Sequence, residues 1–373
     1  MRLLVNFVFA PPVGHAIEAL HYAFGYHRAD PDLHIDVALH AATPHELARL
    51  CPYIDNVYPI DVDLFGAQYD APAAVQALPK QWDWIVDDDR GHVDALRGFF
   101  PGLARYYDAC AAYFDVANPI GFAGSAPPAY AGGTGFRLHL PEGNLQSARD
   151  RLGEDGAPRI AVLPGGSAPR AYYPSTRSWA MILQALQRRY PQATFCMIGK
   201  LAQDARTSTS FGRAEFDAVR ASVDRAVEAI DIPLVDQLST VAECDVLVSP
   251  HSGFGMAALA VGTPWLTISG NKWPEFYFPG TPFYSVLPDL ARFPCYTGIE
   301  PEPEMVEDDG PRSPSMSYER LRSDLDEIVA GAERLIEGEW DLEAALRDHA
   351  DRLVRMYGGD RSRIYSIDRV LPV

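Results

Sequence analysis

Two short segments carry residue types and spacing suited to the transfer of a group from a phosphate. In the first, Val246 to Val248 read as a buried strand, and Ser249 and Pro250 mark a turn. Ser252 and Gly253 then open an Ala-rich helix that Gly262 and Pro264 stop. A strand, a small-residue turn and a helix start aim backbone N–H groups and the positive end of a dipole at one point, which suits a phosphate. Gly253 and Gly255 would let the backbone come close to it. An ordinary strand-to-helix turn has the same signature. The second segment is Pro11-Pro12-Val13-Gly14-His15, a turn after the first apolar run. An imidazole there, with an ordinary pKa of about 6.5, suits a general base that takes the proton of a hydroxyl. A surface turn histidine is the plainer alternative.

Further candidates end other strands. Asp87, Asp88 and Asp89 close the run Trp82 to Val86 and could orient His15 or bind acceptor hydroxyls. A metal-binding acidic pair and a solvated acidic turn are the competing readings. Pro164-Gly165-Gly166-Ser167 is a second glycine turn, with Arg170 and Arg177 just beyond it. Either guanidinium could pair bidentately with a diphosphate and stabilise charge on a leaving group. Ser167 and Ser252 could add hydroxyl donors, and His251 could bond a donor sugar or a phosphate. Glu275, in the loop Asn271 to Glu275, could bind ribose or sugar hydroxyls, whereas Phe276-Tyr277-Phe278 reads as packing. Gly199-Lys200 could border a nucleotide base.

The elements that must position these residues alternate between strand and helix. Arg2 to Ala10, His34 to Leu39, Asn56 to Ile60 and Trp82 to Val86 read as strands. Between them lie a helix from Ile17 to Tyr26 and one from Thr43 to Leu50, with Thr43 as cap and Pro44 first. A second series starts with the strand Arg159 to Leu163, the helix Ser178 to Tyr190 and the strand Ala193 to Ile198. Residues 201–230 read as an insertion ending in a charged helix from Glu215 to Ile230. Leu234 and Leu238 then lead to the Val246 strand, and Trp265 to Ile268 follows. Glu300 to Ser317 is acidic and proline-rich and reads as a loose loop, and Tyr318 to Met356 supplies one or two helices. The expectation is an α/β protein of two doubly wound halves, each placing ligands at its strand C-termini. The boundaries expected are 1–150, 151–316 and 317–373, the last a helical segment that packs back across the domains.

Composition narrows the partners. A length of 373 residues favours two domains over one core. A net charge of −18 disfavours nucleic acid and anionic membranes, which the whole-protein field repels. No stretch approaches the ~20 apolar residues of a membrane span. Two prolines follow the apolar start where a cleavage site would stand, so no signal peptide is expected. The five cysteines are scattered without metal-ligand spacing, which fits reduced thiols in a cytoplasm.

The order of these segments resembles the ADP-heptose–lipopolysaccharide heptosyltransferase family, whose members are GT-B glycosyltransferases. Gly14-His15 with Ala19-Leu20 looks like that family's Gly-Asp-x-Leu start, Tyr53 to Val57 its next strand entry, and Trp82 to Asp87 its "yDlvid" strand. Pro164 to Ser167 with Arg177-Ser178-Trp179 resembles its "pGs…K-x-W" segment. Ser252 to Ala258, completed by Gly262-Thr263-Pro264, resembles "DSGpxHlAaa". Four positions depart: His15 replaces a catalytic Asp, His251 an Asp, Arg177 a Lys, and Met256 a His. Gly14-His15 fits better the Gly-His pair of other GT-B enzymes.

The resemblance implies two Rossmann-like domains facing a central cleft. It implies an inverting, metal-independent transfer of a hexose- or heptose-like sugar from a nucleotide-diphosphate donor to a hydroxyl of a small molecule or glycan. No cofactor is implied beyond the nucleotide sugar as co-substrate. His15 and Asp87 would be catalytic, and Gly14, Asp88 and Asp89 would face the acceptor. Gly166, Ser167, Arg177, His251, Ser252, Gly253 and Glu275 would hold the donor. A nucleotide-sugar epimerase of the same fold, or a non-catalytic relative that binds a nucleotide sugar or glycan, are the alternatives.

Overall fold

The computed structural model describes residues 1–9, 12–66, 70–88, 94–115, 127–133, 135–153, 157–202, 209–270, 280–296 and 303–364. Backbone contacts divide the chain into two compact units, Met1–His139 and Leu140–Val373.

The first unit contains β1 (Arg2–Phe7), α1 (Val13–Ala29), β2 (His34–His40), β3 (Asn56–Ile60), α2 (Ala71–Val75), β4 (Trp84–Asp87), α3 (Asp94–Phe99) and α4 (Pro101–Phe114). Its sheet is wholly parallel, in the order β3-β2-β1-β4. Leu3, Leu4 and Val5 are fully buried, as befits a central parallel strand covered on both faces. One layer is α1, packed on β1 and β2. Tyr106, Tyr107 and Cys110 of α4 pack with Leu4, Ile85 and Trp82 in the core of the same unit.

Two local expectations change here. The first helix begins at Val13, not near Ile17, so Gly14 and His15 lie in its first turn and not in a connecting turn. Pro12 precedes the helix as its cap residue, where a missing N–H breaks no helical bond, so the prolines do not delay the start. The helix expected over Thr43 to Leu50 is a 3-10 stretch, His45–Leu50, capped by Pro44 and not by the Thr43 side chain.

The second unit opens with α5 (Glu142–Leu152), which a boundary at 150 would divide. Then come β5 (Arg159–Val162), α6 (Thr176–Arg189), β6 (Thr194–Gly199), α7 (Arg213–Arg220), β7 (Ala226–Ile230), α8 (Leu234–Ala242), β8 (Val246–Pro250), α9 (Gly253–Ala260), β9 (Trp265–Ile268) and β10 (Phe283–Val286). A short hairpin, β11 (Val306–Glu307) with β12 (Pro311–Arg312), precedes α10 (Tyr318–Ser323), α11 (Leu325–Ile336) and α12 (Leu342–Met356). The main sheet is parallel in the order β10-β9-β8-β5-β6-β7. Trp179, Ile182, Leu183 and Leu186 of α6 join Ile328, Ala332 and Leu335 of α11 in its core. Among the described residues no helix is long and apolar enough to cross a membrane.

Residues 213–230 form a helix and the sheet's edge strand, and not an insertion. The helix stops at Arg220, and Ala226–Ile230 pairs with β6 as an edge strand. Its charges are those of a solvated edge: Glu228 meets Arg213 at 3.1 Å and Arg220 at 3.3 Å. The later part of the stretch expected as a loose loop is tied down. Arg312 is buried and donates to the carbonyls of Arg170 (2.8 Å), Tyr173 (2.7 Å) and Asp308, so backbone oxygens solvate its charge. Strand β10 had no expected counterpart.

Gly255 sits where a Cβ would lie 2.1–2.5 Å from the buried Trp265 indole. The glycine is therefore required by the packing of α9 on β9. Gly255→Ala is expected to destabilise the unit by ~1–3 kcal/mol, the usual cost of overpacking. Urea unfolding checks it; an unchanged midpoint would remove the packing role.

Candidate functional site

In each sheet the chain reverses direction at one place. In the second unit it runs outward through β5, β6 and β7, then returns to β8 on the other side of β5. In the first it runs outward through β1, β2 and β3, and returns to β4 on the other side of β1. Connections that leave neighbouring strands in opposite directions open a crevice at the strand C-termini, the usual ligand position of doubly wound sheets. The Pro164–Ser167 and His251–Gly253 turns flank this crevice in the second unit. The α1 start and the Asp87-Asp88 strand end flank it in the first.

The turn after β5 is held from behind by aromatic side chains. A Cβ on Gly165 would stand 2.8 Å from Phe211 and 3.0 Å from Tyr173. The Gly165 carbonyl accepts from Thr209 Oγ1 at 3.0 Å, and the Gly166 carbonyl accepts from the Ser210 N–H at 2.9 Å. Trp179 Nε1 donates to the Pro164 carbonyl and the Ala168 N–H donates to the Tyr173 hydroxyl, both at 3.0 Å. Gly166 is half-buried, and Ser167 is left exposed.

Beyond this turn the two arginines part company. Arg170 donates to Glu215 and to the Pro174 carbonyl, both at 2.8 Å, and its guanidinium lies 3.6 Å from the centre of the Phe211 ring. Burial raises the Glu215 carboxyl pKa, but the Gly212 N–H and Arg170 outweigh it and hold the group below its ordinary value. Arg170 thus ties the turn to α7. Arg177 is the second residue of α6, whose cap Ser175 accepts from the Ser178 N–H. It is exposed, and its guanidinium lies 3.8 Å from the centre of the Tyr318 ring. Together with Thr176, Arg292 and Glu307 it lines a cavity of about 750 Å³, which includes neither glycine turn.

At the end of β8, Ser252 caps α9 by accepting from the Gly255 N–H at 3.2 Å. His251 is half-buried and tilts over Trp265 with ring centres 5.5 Å apart. Glu275 and Asp89 lie outside the described residues.

In the first unit, His15 projects from the opening turn of α1 beside Glu18, one helical turn on. His15 Nδ1 and Glu18 Oε2 are 3.6 Å apart, and Glu18 is buried. The Phe9 ring packs edge-on against the imidazole at 5.1 Å. Glu18 escaped the sequence reading because His15 was placed in a turn; the i,i+3 spacing identifies it once α1 starts at Val13.

Asp87 lies in different surroundings. It accepts from Asn6 Nδ2, while Tyr106 donates to Asn6 Oδ1 at 2.7 Å; its other oxygen has no partner among the described residues. Burial pushes its pKa well above the carboxylate range, the Asn6 hydrogen bond opposes this, and Asp88 adds to it. Asp88 is also buried. Burial accordingly favours the protonated form of Asp87.

No family model and no curated protein matches the chain. Solved structures do. A glycosyl transferase family 9 protein from Veillonella parvula is similar at a TM-score of 0.56 and 13% identity, over 90% of this chain and 97% of that one. ADP-heptose LPS heptosyltransferase II of E. coli is similar at 0.53 and 16% identity, over 89% of this chain and 100% of that one. At such identities the likeness speaks for the fold. The chain has the GT-B fold of glycosyltransferases, built of two Rossmann-like α/β units, and its solved neighbours include the heptosyltransferases that its motifs resemble.

A carboxyl whose folded pKa is raised keeps its proton in the folded state and loses it on unfolding. Stability therefore falls as pH rises from about 4 towards the folded value. Asp87→Asn keeps the shape and the Asn6 hydrogen bond but cannot ionise. The variant is expected to gain stability over wild type as pH rises from about 4 to 8. Denaturant midpoints across that range check it; parallel curves would place an ionised carboxylate at Asp87.

Proposed function

We propose that the protein is an inverting, metal-independent glycosyltransferase that uses a nucleotide-diphosphate sugar. The observation that carries this reading is the pair of turns after β5 and β8, on neighbouring strands at the reversal of a doubly wound sheet. One turn presents Gly166 and Ser167, and the other presents Ser252 and Gly253 at the start of α9. Backbone N–H groups at such places bind a diphosphate without a metal. The E. coli neighbour is named for ADP-heptose. For this chain the assignment stops at the nucleotide-diphosphate sugar, because the four departures at His15, Arg177, His251 and Met256 alter the polar contacts.

Arg177 is the cation assigned to the diphosphate. It stacks on Tyr318 through the guanidinium face and makes no hydrogen bond or ion pair among the described residues. His15 is assigned as the general base. The acceptor oxygen attacks the anomeric carbon as its proton passes to the imidazole, and the bond from that carbon to the diphosphate oxygen breaks with its electron pair. Glu18 would balance the charge that the imidazole gains and hold the ring, which makes it a positioning residue. Asp87, buried and bonded to Asn6, would support the strand end that faces the acceptor. His251 and Glu275 are assigned to the donor sugar and ribose, and Gly14, Asp88 and Asp89 to the acceptor side.

His15→Ala is expected to lower kcat by ~10²–10⁴ and leave donor affinity nearly unchanged. The acidic limb of its kcat/KM pH profile should vanish; a near-wild-type rate with that limb intact refutes the base. Arg177→Ala should weaken nucleoside-diphosphate binding by ~1.5–3 kcal/mol in calorimetry. Transfer should survive exhaustive chelation. Activity that is lost and then restored by manganese or magnesium would overturn metal independence, and donor turnover without acceptor would favour an epimerase.

A further inference from the structure

Three aromatic rings run from His15 to the surface of the first unit. Phe9 meets His15 edge-on at 5.1 Å, Phe100 meets Phe9 edge-on at 5.4 Å, and Phe65 meets Phe100 at 5.4 Å. Phe9 and Phe100 are half-buried, backed by the unit's core. Phe65 is 69% exposed, and Phe99, next to Phe100 in the chain, is 50% exposed. Three large apolar side chains among the described residues are at least half exposed, and two of them are Phe65 and Phe99.

The exposure is not a loose loop happening to carry a phenylalanine. The Gly102 N–H donates to the Leu64 carbonyl at 2.9 Å, and a Cβ on Gly102 would stand 1.7 Å from the Asp63 carbonyl oxygen. Asp63 also accepts from the Phe65 N–H at 3.3 Å, and its carbonyl accepts from the Gly66 N–H at 3.1 Å. Leu64 is thus bonded to the start of α4, and Gly66 is folded back onto Asp63, so the backbone that carries Phe65 is held on both sides. Holding a phenyl ring in water forgoes the burial that would stabilise it, and a fixed apolar surface beside a titratable side chain fits a ligand contact.

We propose that these rings bind the acceptor, and that the acceptor carries its hydroxyl on an aromatic ring. The inference rests on the glycosyltransferase reading for the role of His15. Phenyl rings offer faces and edges but no hydrogen-bond donor or acceptor. A sugar can lay only its C–H face on them and gains no hydrogen bond there, whereas an aryl group pairs with them ring to ring at 4.5–7 Å centre to centre. With the phenolic oxygen at His15, the rest of the aryl group extends over Phe9 and Phe100 towards Phe65. The net charge of −18 also favours a neutral acceptor over an anionic one.

Umbelliferone, a fluorescent aryl alcohol, is the probe, and methyl glucoside is its polar counterpart. Umbelliferone should bind the full-length wild-type protein, and Phe65→Ala should weaken that binding about tenfold, as should Phe99→Ala to a smaller degree. Nucleoside-diphosphate affinity should stay within about twofold of wild type, which separates a ligand contact from a folding defect. With a competent donor, KM for umbelliferone should rise in Phe65→Ala while kcat changes little. Equal umbelliferone binding by wild type and both variants overturns the inference. So does transfer to methyl glucoside as efficiently as to umbelliferone, even though the glycosyltransferase reading would then stand. Umbelliferone binding that depends on Phe65 in a protein that transfers no sugar supports the aryl surface and refutes the transfer reading.

Discussion

The central position of β5 is the constraint on which the second unit depends. A parallel strand must receive its chain from a crossover on one face of the sheet, and the next strand can be added on either side. Here the chain adds β6 and β7 on one side before returning to β8 on the other. The connections after β5 and β8 therefore leave in opposite directions and cannot close over the space between them. In doubly wound sheets this is where ligands usually bind. The first unit repeats the device with β1 and β4.

Aromatic packing then fixes what the reversal leaves open. Phe211 and Tyr173 stand against Gly165, and Trp265 stands against Gly255, so neither position has room for a side chain. The same arrangement recruits Arg170 and Arg312, which bond the backbone around the first turn and use up their charges in doing so. What remains presented is small: Ser167 at one turn, and the cap and first residues of α9 at the other.

In the first unit two carboxylates near the strand ends meet opposite fates. Asp87 is enclosed with Asn6 and Tyr106, and burial raises its pKa. Glu18 is also buried but lies beside a basic ring that is partly open to solvent, which is where a proton-transferring pair is useful. Sequence order gives no warning of this difference, because both are acids close to a strand or helix end.

The sequence by itself determined the alternation of strands and helices, the two glycine turns and the start of α9. These depend on local pattern: apolar runs, a serine cap, and glycine and proline stops are satisfied within a dozen residues. It read β7 as the end of a helix and left β10 unread, since an edge strand is defined by the neighbour it pairs with, and Ala226–Ile230 has no strong pattern of its own. It set α1 too late because two prolines look like a stop until the fold supplies a helix that needs no N–H there. Only tertiary structure decided which arginine is a structural tie and that Gly255 answers to an indole. Each depends on what lies across a packing contact, and residues far apart in the chain become neighbours only when the sheets have formed.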